Sequence, residues 1–334
     1  MQKNNPTIYD VAREAGVSIS TVSRVLNAYK EVNEETRAVV LAAIEALGYV
    51  PKAEARARAL KETRRIGVIT PFFTAPAFVQ RLRGVAAAVA SKNFELVVYT
   101  VDSLETLSDY LETLPFSTHN LGGLIFISMN ISEEQAERLL KHGLDAVLIE
   151  HSSQFFSSVE IDDVAGGRMA AEYLIDRGHR KIAFLGDSNR MDYVVQTTEY
   201  RLKGFRKGLH AAGIELSEEN THLVRYDIET TRRHAREMLS KPDRPTAIFA
   251  STDLQAMAII KGAHDLSLRI PDDLAVIGFD DLDMADYVDL TTIRQHLDES
   301  GRIAAELLMT RLTEPDRLIQ HVQLPLTLVK RLTA

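Results

Sequence analysis

From Arg65 onward, this 334-residue chain alternates short apolar runs with amphipathic stretches, and that alternation limits its fold more than any other feature. IGVIT (66–70), ELVVYT (95–100), GLIFI (123–127) and AVLIE (146–150) read as buried strands, as do KIAFLG (181–186), TAIFA (246–250) and LAVIGF (274–279). Between them lie FVQRLRGVAAAVASKN, SEEQAERLLKHG, AGGRMAAEYLIDRG, RLKGFRKGLHAAG, TTRRHAREMLS and LQAMAIIKGAHDLS. Each of these repeats its apolar residues at helical spacing, and most stop near Gly or Asn. Alternating strand and helix implies parallel sheets with helices on both faces. The series restarts near residue 160, so two similar α/β lobes are expected. Open sheets of this kind bind ligands at the carboxyl ends of their strands, and two such lobes would frame a cleft.

The first 50 residues follow a different rule. In TIYDVAREAGVSISTVSRVLN (7–27), Thr7 and Asp10 form a capping-box-like pair, and Ile8, Val11, Ala12 and Ala15 share one helical face. Gly16 sits where a helix ends in the left-handed region, and Ser18 is the next N-cap. Val22, Val25 and Leu26 form the buried face of the second helix, leaving Ile19, Ser20, Ser23, Arg24 and Asn27 pointing elsewhere. Asn33 and Glu34-Glu35 open a third helix, whose stripe is Val40, Ala43, Ile44 and Leu47 and whose end is Gly48. The pattern is an all-α, three-helix form of the helix-turn-helix module, with the second helix expected in the DNA major groove, and periodicity alone leaves open a plain three-helix cap with a polar outer face.

The residues of TIYDVAREAGVSISTVSRVLN, followed by VNEETRAVVLAAIEALGYVP, closely resemble the DNA-binding domain of the lactose-repressor (LacI/GalR) family of transcription regulators. The resemblance continues through VEIDDVAGGRMAAEYLIDRGHRKIAFLG (159–186), RLKGF (201–205), AIFASTDLQAMAIIKG (247–262), IPDDLAVIGFDD (270–281), LTTIRQ (290–295) and LPLTLVKR (324–331). Those stretches look like the family's periplasmic-binding-protein-like core, so coverage is nearly end to end. The resemblance implies a helix-turn-helix domain at 1–50, a linker or hinge helix at 51–65 and an effector-binding core at 66–334. It places lobe one at about 66–160 and 293–322, and lobe two at about 161–291 and 323–334. It implies a ligand-responsive repressor that binds a palindromic operator as a homodimer. No apolar heptads follow the last strand, so the tetramerising coiled coil of the lactose repressor is not expected. Ile19, Ser20 and Arg24 are then the candidates for base-edge contacts. Thr7, Ser18, Thr21, Ser23 and Asn27 are the candidates for phosphate contacts.

Charge and composition agree with that division. The formal net charge is -8, yet residues 1–65 carry 11 Lys/Arg against 8 Asp/Glu, a balance of +3. The rest carries 28 against 39, a balance of -11. Cysteine is absent, which removes disulfides and thiolate metal sites. No apolar run approaches membrane-spanning length and the N-terminus lacks a signal-peptide stretch, so a cytoplasmic protein without membrane partners is expected.

The linker departs from the family pattern. Six Lys/Arg face two Glu between Pro51 and Arg65. In the family, paired hinge helices push a leucine into the minor groove and bend the DNA. Aligned without a gap, Ala55-Arg56 falls on the family's Ala-Arg pair, Glu54 on an apolar hinge position and Arg58 on the wedge leucine, with Leu60 two residues late. Three readings stand open: Arg58 reads a narrow minor groove, Leu60 wedges from a shifted hinge, or the helix carries no wedge.

For the effector, Arg201, Asp253, Asp280 and Gln295 fall on matching family motif positions, and Glu150 ends a strand at an acidic position of the lactose repressor. Carboxylates and Arg at strand ends suit sugar hydroxyls. Phe72 and Phe73, with Phe78, are candidates for an apolar wall. Tyr226 lies near a position held by tryptophan in the lactose repressor; this chain has no tryptophan, which argues against a lactose-like ligand. A sugar or related polyol is expected, ahead of a nucleoside, and no cofactor. Asp162-Asp163 read as helix caps, Asp281, Asp283 and Asp286 as a solvated turn rather than a metal site, and His179 as a packing turn residue. Two rival readings stand beside this one. One is a sugar- or nucleoside-binding protein, regulated through a protein co-regulator. The other is an enzyme, but no P-loop, HExxH, nucleophile elbow or GxGxxG after a strand is present.

Overall fold

The computed structural model describes residues 6–26, 32–49, 65–90, 92, 94–116 and 121–334. Asn27, Pro51, Glu54, Arg56, Arg58 and Leu60 lie outside the described residues, and with them the whole hinge question.

The N-terminal module has helices α1 (Ile8–Glu14), α2 (Ile19–Leu26) and α3 (Glu34–Leu47). Its caps follow the residue types. Asp10 accepts from the Thr7 backbone N–H at 2.9 Å and from its hydroxyl at 2.7 Å. Thr21 N–H donates to Ser18 Oγ at 3.1 Å, and Thr36 N–H to Asn33 Oδ1 at 2.8 Å. Gly16 and Gly48 both take positive φ, where a side chain would be strained. Val11, Val22, Val25, Leu26, Val40 and Ile44 pack into one core, which fixes α2 with its polar face outward.

The remainder holds two six-stranded sheets. The first has strands β1 (Arg65–Thr70), β2 (Glu95–Thr100), β3 (Leu121–Ile127), β4 (Asp145–Ile149), β5 (Ser157–Glu160) and β11 (His321–Gln323), ordered β11-β5-β4-β3-β1-β2. The second has β6 (Ile182–Asp187), β7 (Thr221–Val224), β8 (Ala247–Ala250), β9 (Ala275–Asp280), β10 (Thr291–Arg294) and β12 (Thr327–Val329), ordered β12-β10-β9-β8-β6-β7. The two orders are the same winding repeated. β1 pairs in parallel with β2 and β3, as β6 does with β7 and β8.

One expectation needs correction. ELVVYT is a strand but not a buried one: β2 is an edge strand with no buried residue. The sheets are parallel as expected, with β12 running antiparallel to β10 at the end of the second. Elements that the sequence pattern did not mark include the helices Leu104–Thr113 and Leu297–Thr313 and the strands β5 and β7.

The chain divides into two compact units, residues 1–73, 85–158 and 302–321, and residues 74–84, 159–301 and 322–334. In the second unit the sheet is covered on both faces. Phe184, Phe249, Ile277 and Phe279 pack to one side, Ile248, Val276 and Leu185 to the other. Successive residues of a strand point to opposite faces, so a strand buried on both sides must be apolar throughout.

Candidate functional site

Two regions carry the sequence-predicted residues. In the N-terminal module, Ile19, Ser20 and Arg24 are exposed on α2, and Ile19 is a large apolar side chain left in the open. Thr21 and Ser23 are half-buried beside them. Ser18 caps the helix, and its Oγ lies 2.8 Å from both Ser20 Oγ and Thr21 Oγ1. These hydroxyls form one cluster at the start of α2, where backbone N–H groups and the helix dipole favour a phosphate. Thr7 is engaged by Asp10, whose carboxyl is held below the usual range chiefly by the Thr7 hydroxyl.

The second region is at the carboxyl end of the second sheet. Helices Asp163–Asp176 and Thr197–Ala211 cross here in close contact. A Cβ on Gly167 would stand 2.0 Å from Arg201 O, and one on Gly204 1.9 Å from Val164 O, so only glycine permits the approach. That approach brings Arg201, 3% exposed, onto Asp163: Nε donates to Oδ1 at 2.7 Å. Arg201 Nη1 donates to the Ser251 carbonyl at 2.5 Å and lies 3.6 Å from Asp280 Oδ1. Its guanidinium carbon stacks 3.7 Å from the centre of the Phe279 ring.

Asp280 ends β9 with φ of 120°, and its buried Oδ1 accepts from Gln295 Nε2 at 2.5 Å. Gln295 Oε1 in turn accepts from Arg81 Nη2 at 2.8 Å. Asp253 opens the helix Asp253–Asp265 and has no exposed surface. One of its oxygens accepts from Leu282 N–H at 2.7 Å, the other from the Thr292 hydroxyl at 2.5 Å. Burial, then the Asp280 charge, pushes its carboxyl well above the usual range. Tyr226 is half-buried, and its phenol is raised by burial and then by Asp280, which places it in the same field.

Arg201, Asp280 and Gln295 are thus brought together, with Tyr226 beside them. Asp253 is near them but sealed beneath. Phe72, Phe73 and Glu150 belong to the first unit and follow the carboxyl ends of β1 and β4. Phe72 and Phe73 are 41% and 44% exposed, and half-buried Glu150 accepts from the Ser128 hydroxyl. Phe72, Ser128 and Glu150 all take positive φ, a concentration of backbone strain at the carboxyl end of the first sheet.

Some residues were missed or split. Asp162 caps its helix, with Ala165 N–H donating at 2.8 Å, but Asp163 does not; it is the buried partner of Arg201. Arg81 carried no motif, and Ser251 and Thr292 lay inside family-like stretches without being singled out; their burial reveals all three. The turn acids are ion-paired rather than merely solvated: Asp281 with Arg294 and Arg331, Asp283 with Arg83, Asp286 with Arg331. His179 lies 3.0 Å from the Thr246 hydroxyl, and burial lowers its pKa. No cluster of metal-binding side chains occurs among the described residues, and no helix among them is long and apolar enough to cross a membrane.

Comparison with known proteins matches residues 7–52 to the lacI family of bacterial regulatory proteins and residues 171–334 to a periplasmic binding protein-like domain. The chain is 34% identical to catabolite control protein A of Priestia megaterium over 326 residues, 96% of this chain and 97% of that protein. It is 31% identical to the ribose operon repressor of Escherichia coli (strain K12) over 331 residues, 97% and 98% of the two. Among solved structures, the lac repressor dimer bound to operator and an anti-inducer superposes with a TM-score of 0.70 at 26% identity, covering 99% of each chain. The complex of the transcriptional regulator CelR with cellobiose gives a TM-score of 0.70 at 28% identity, covering 98% of this chain and all of that one. A capped helix-turn-helix module, a repeated α/β core and end-to-end similarity lead to one conclusion: the chain belongs to the LacI family and is a sequence-specific DNA-binding transcription regulator.

Proposed function

We propose that the chain is a cytoplasmic repressor, without enzymatic activity, that binds a palindromic operator as a homodimer and is controlled by a small polar effector. The observation that supports effector control most directly is the buried Arg201–Asp280–Gln295 network at the carboxyl end of β9. A neutral polyol is the ligand class best suited to it. Asp280 accepts from hydroxyls, while Arg201 and Gln295 donate, and no net charge is left over on the ligand. Relatives bound to ribose or cellobiose agree with that class. Within the set, Arg201, Asp280 and Gln295, with Tyr226, touch the effector. Asp253, sealed from solvent, positions the turn after β9 and strand β10 instead. Phe72, Phe73 and Glu150 are proposed as contact residues of the first unit.

On DNA, Ile19, Ser20 and Arg24 read base edges while Ser18, Thr21 and Ser23 hold phosphates. Effector binding shifts a two-state equilibrium by its differential affinity for the two states. The test has two parts. Selection from random duplexes should return a palindrome, and Arg24→Ala should cost about 1–3 kcal/mol at one base pair per half-site. A uniform loss over all sequences would instead make Arg24 a phosphate contact. Thermal unfolding against ribose, cellobiose, other sugars and nucleosides should give a stabilising hit that Asp280→Asn removes. Stabilisation that survives Asp280→Asn would place the ligand elsewhere.

A further inference from the structure

Arg81 sits in the middle of the helix Pro76–Ala90, where a cation normally faces water, yet it is 2% exposed and among the largest buried side chains. Burying a guanidinium costs several kcal/mol unless its donors are used. One of them goes to a neutral group, Gln295 Oε1, at 2.8 Å. Gln295 is itself buried, and its Nε2 donates to Asp280 Oδ1 at 2.5 Å.

This arrangement has a directional consequence. A primary amide can rotate to exchange its oxygen and nitrogen, and its neighbours decide which way it points. Arg81 can only donate, so it must face Oε1. An ionised Asp280 can only accept, so it must face Nε2. The two charges therefore hold the amide in one orientation, and they act from opposite ends. Without the cation, the Asp280 carboxylate still selects Nε2, but the Oε1 end loses its anchor. The amide is then held from one end only, and the hydrogen bond by which it restrains Asp280 is loosened.

We infer that Arg81 is a positioning residue of the effector site: it fixes the Gln295 amide, and through it the Asp280 carboxylate, in the geometry that receives the ligand. The inference rests on the proposed effector role of Asp280. It concerns a residue that touches the ligand only through another side chain.

The experiment uses the full chain with Arg81→Met and Arg81→Lys. Methionine fills similar volume without charge but takes the Arg81 donor away from buried Gln295 Oε1, so the thermal midpoint should fall by about a few degrees with the chain still folded at the temperature of measurement. The first readout is the Gln295 side-chain amide in a nitrogen-edited spectrum, assigned by its disappearance in Gln295→Glu. In the parent chain its two protons should be well separated and slow to exchange with solvent. In Arg81→Met they should converge and exchange rapidly, and Arg81→Lys should restore part of the separation. The second readout is calorimetric titration with ribose and with cellobiose. A sugar that binds the parent should bind Arg81→Met about tenfold more weakly, the loss expected for one charge-assisted hydrogen bond, with partial rescue by lysine. An unchanged amide signal in Arg81→Met overturns the assignment, as does a changed amide with unchanged sugar affinity. If neither sugar binds the parent while the amide responds as described, the effector reading fails for these sugars and the positioning role falls with it.

Discussion

The two sheets wind in the same order, yet their carboxyl ends are built differently. At the first, Phe72 and Phe73 stand in the open and Glu150 is half-buried. At the second, Arg81, Asp163, Arg201, Asp280 and Gln295 are all buried and joined by hydrogen bonds or ion pairs, and buried Asp253 is bonded to Leu282 N–H and the Thr292 hydroxyl. Exposed side chains at a strand end can change with little cost to the fold. Buried charges cannot, since each is the counterpart that makes its neighbour's burial tolerable. One topology thus supports one carboxyl end that can vary and another whose residues must change together.

The largest effect should come from Arg201→Met. It leaves Asp163 and Asp280 buried without their shared cation, which should cost about 3–5 kcal/mol in urea unfolding at neutral pH. A loss below about 1 kcal/mol would show that the cluster is not an interdependent network. Next comes Gly204→Ala. Its new methyl meets the Val164 backbone, which cannot turn aside, and about 1–3 kcal/mol or more should be lost. Gly67→Ala in the first sheet meets the side chains of Leu124, Tyr99 and Leu121, which can shift, so its cost should be about 1 kcal/mol or less. Equal losses would remove the contrast between the two packings.

A subtler difference lies in pH. The folded chain binds a proton on Asp253 more tightly than the unfolded chain does, because burial raises that carboxyl. Stability from this group is therefore complete below the ordinary value of 3.8 and is lost as pH rises toward the folded value. Asp253→Asn stays neutral, can accept from Leu282 N–H and can donate to the Thr292 hydroxyl. Denaturation midpoints of the variant should decline less with pH above 3.8 than those of the parent. Parallel curves would mean that Asp253 ionises normally in the folded chain. The smallest effect on stability is expected at the first sheet, where Phe72→Ala should stay within about 0.5 kcal/mol. A larger loss would show that this open carboxyl end is in fact structural.

Much of this architecture was legible in the residues. The caps Asp10, Ser18 and Asn33 act through bonds three residues long, so a local pattern suffices to find them. Most strands were visible because a strand buried on both faces must be apolar at every position. β2 was misjudged for the complementary reason: its apolar run looks buried, but it lies at the sheet edge, and edge position is a property of strand order. Asp163 and Arg81 were opaque. Each looks like a charge near a helix surface, and only a partner 38 residues away in one case and 214 in the other explains its burial.

The sequence by itself determined the two-part organisation, the helix-turn-helix module, the repeated α/β winding and membership of the LacI family. Those rest on periodicity, capping and motif, all of which act over a few residues. Tertiary structure alone decided which strand lies at an edge, which carboxylate is sealed and which cation is buried. It also decided that the Gln295 amide points one way. Such properties depend on groups far apart in the chain, and a linear pattern does not record which of them meet.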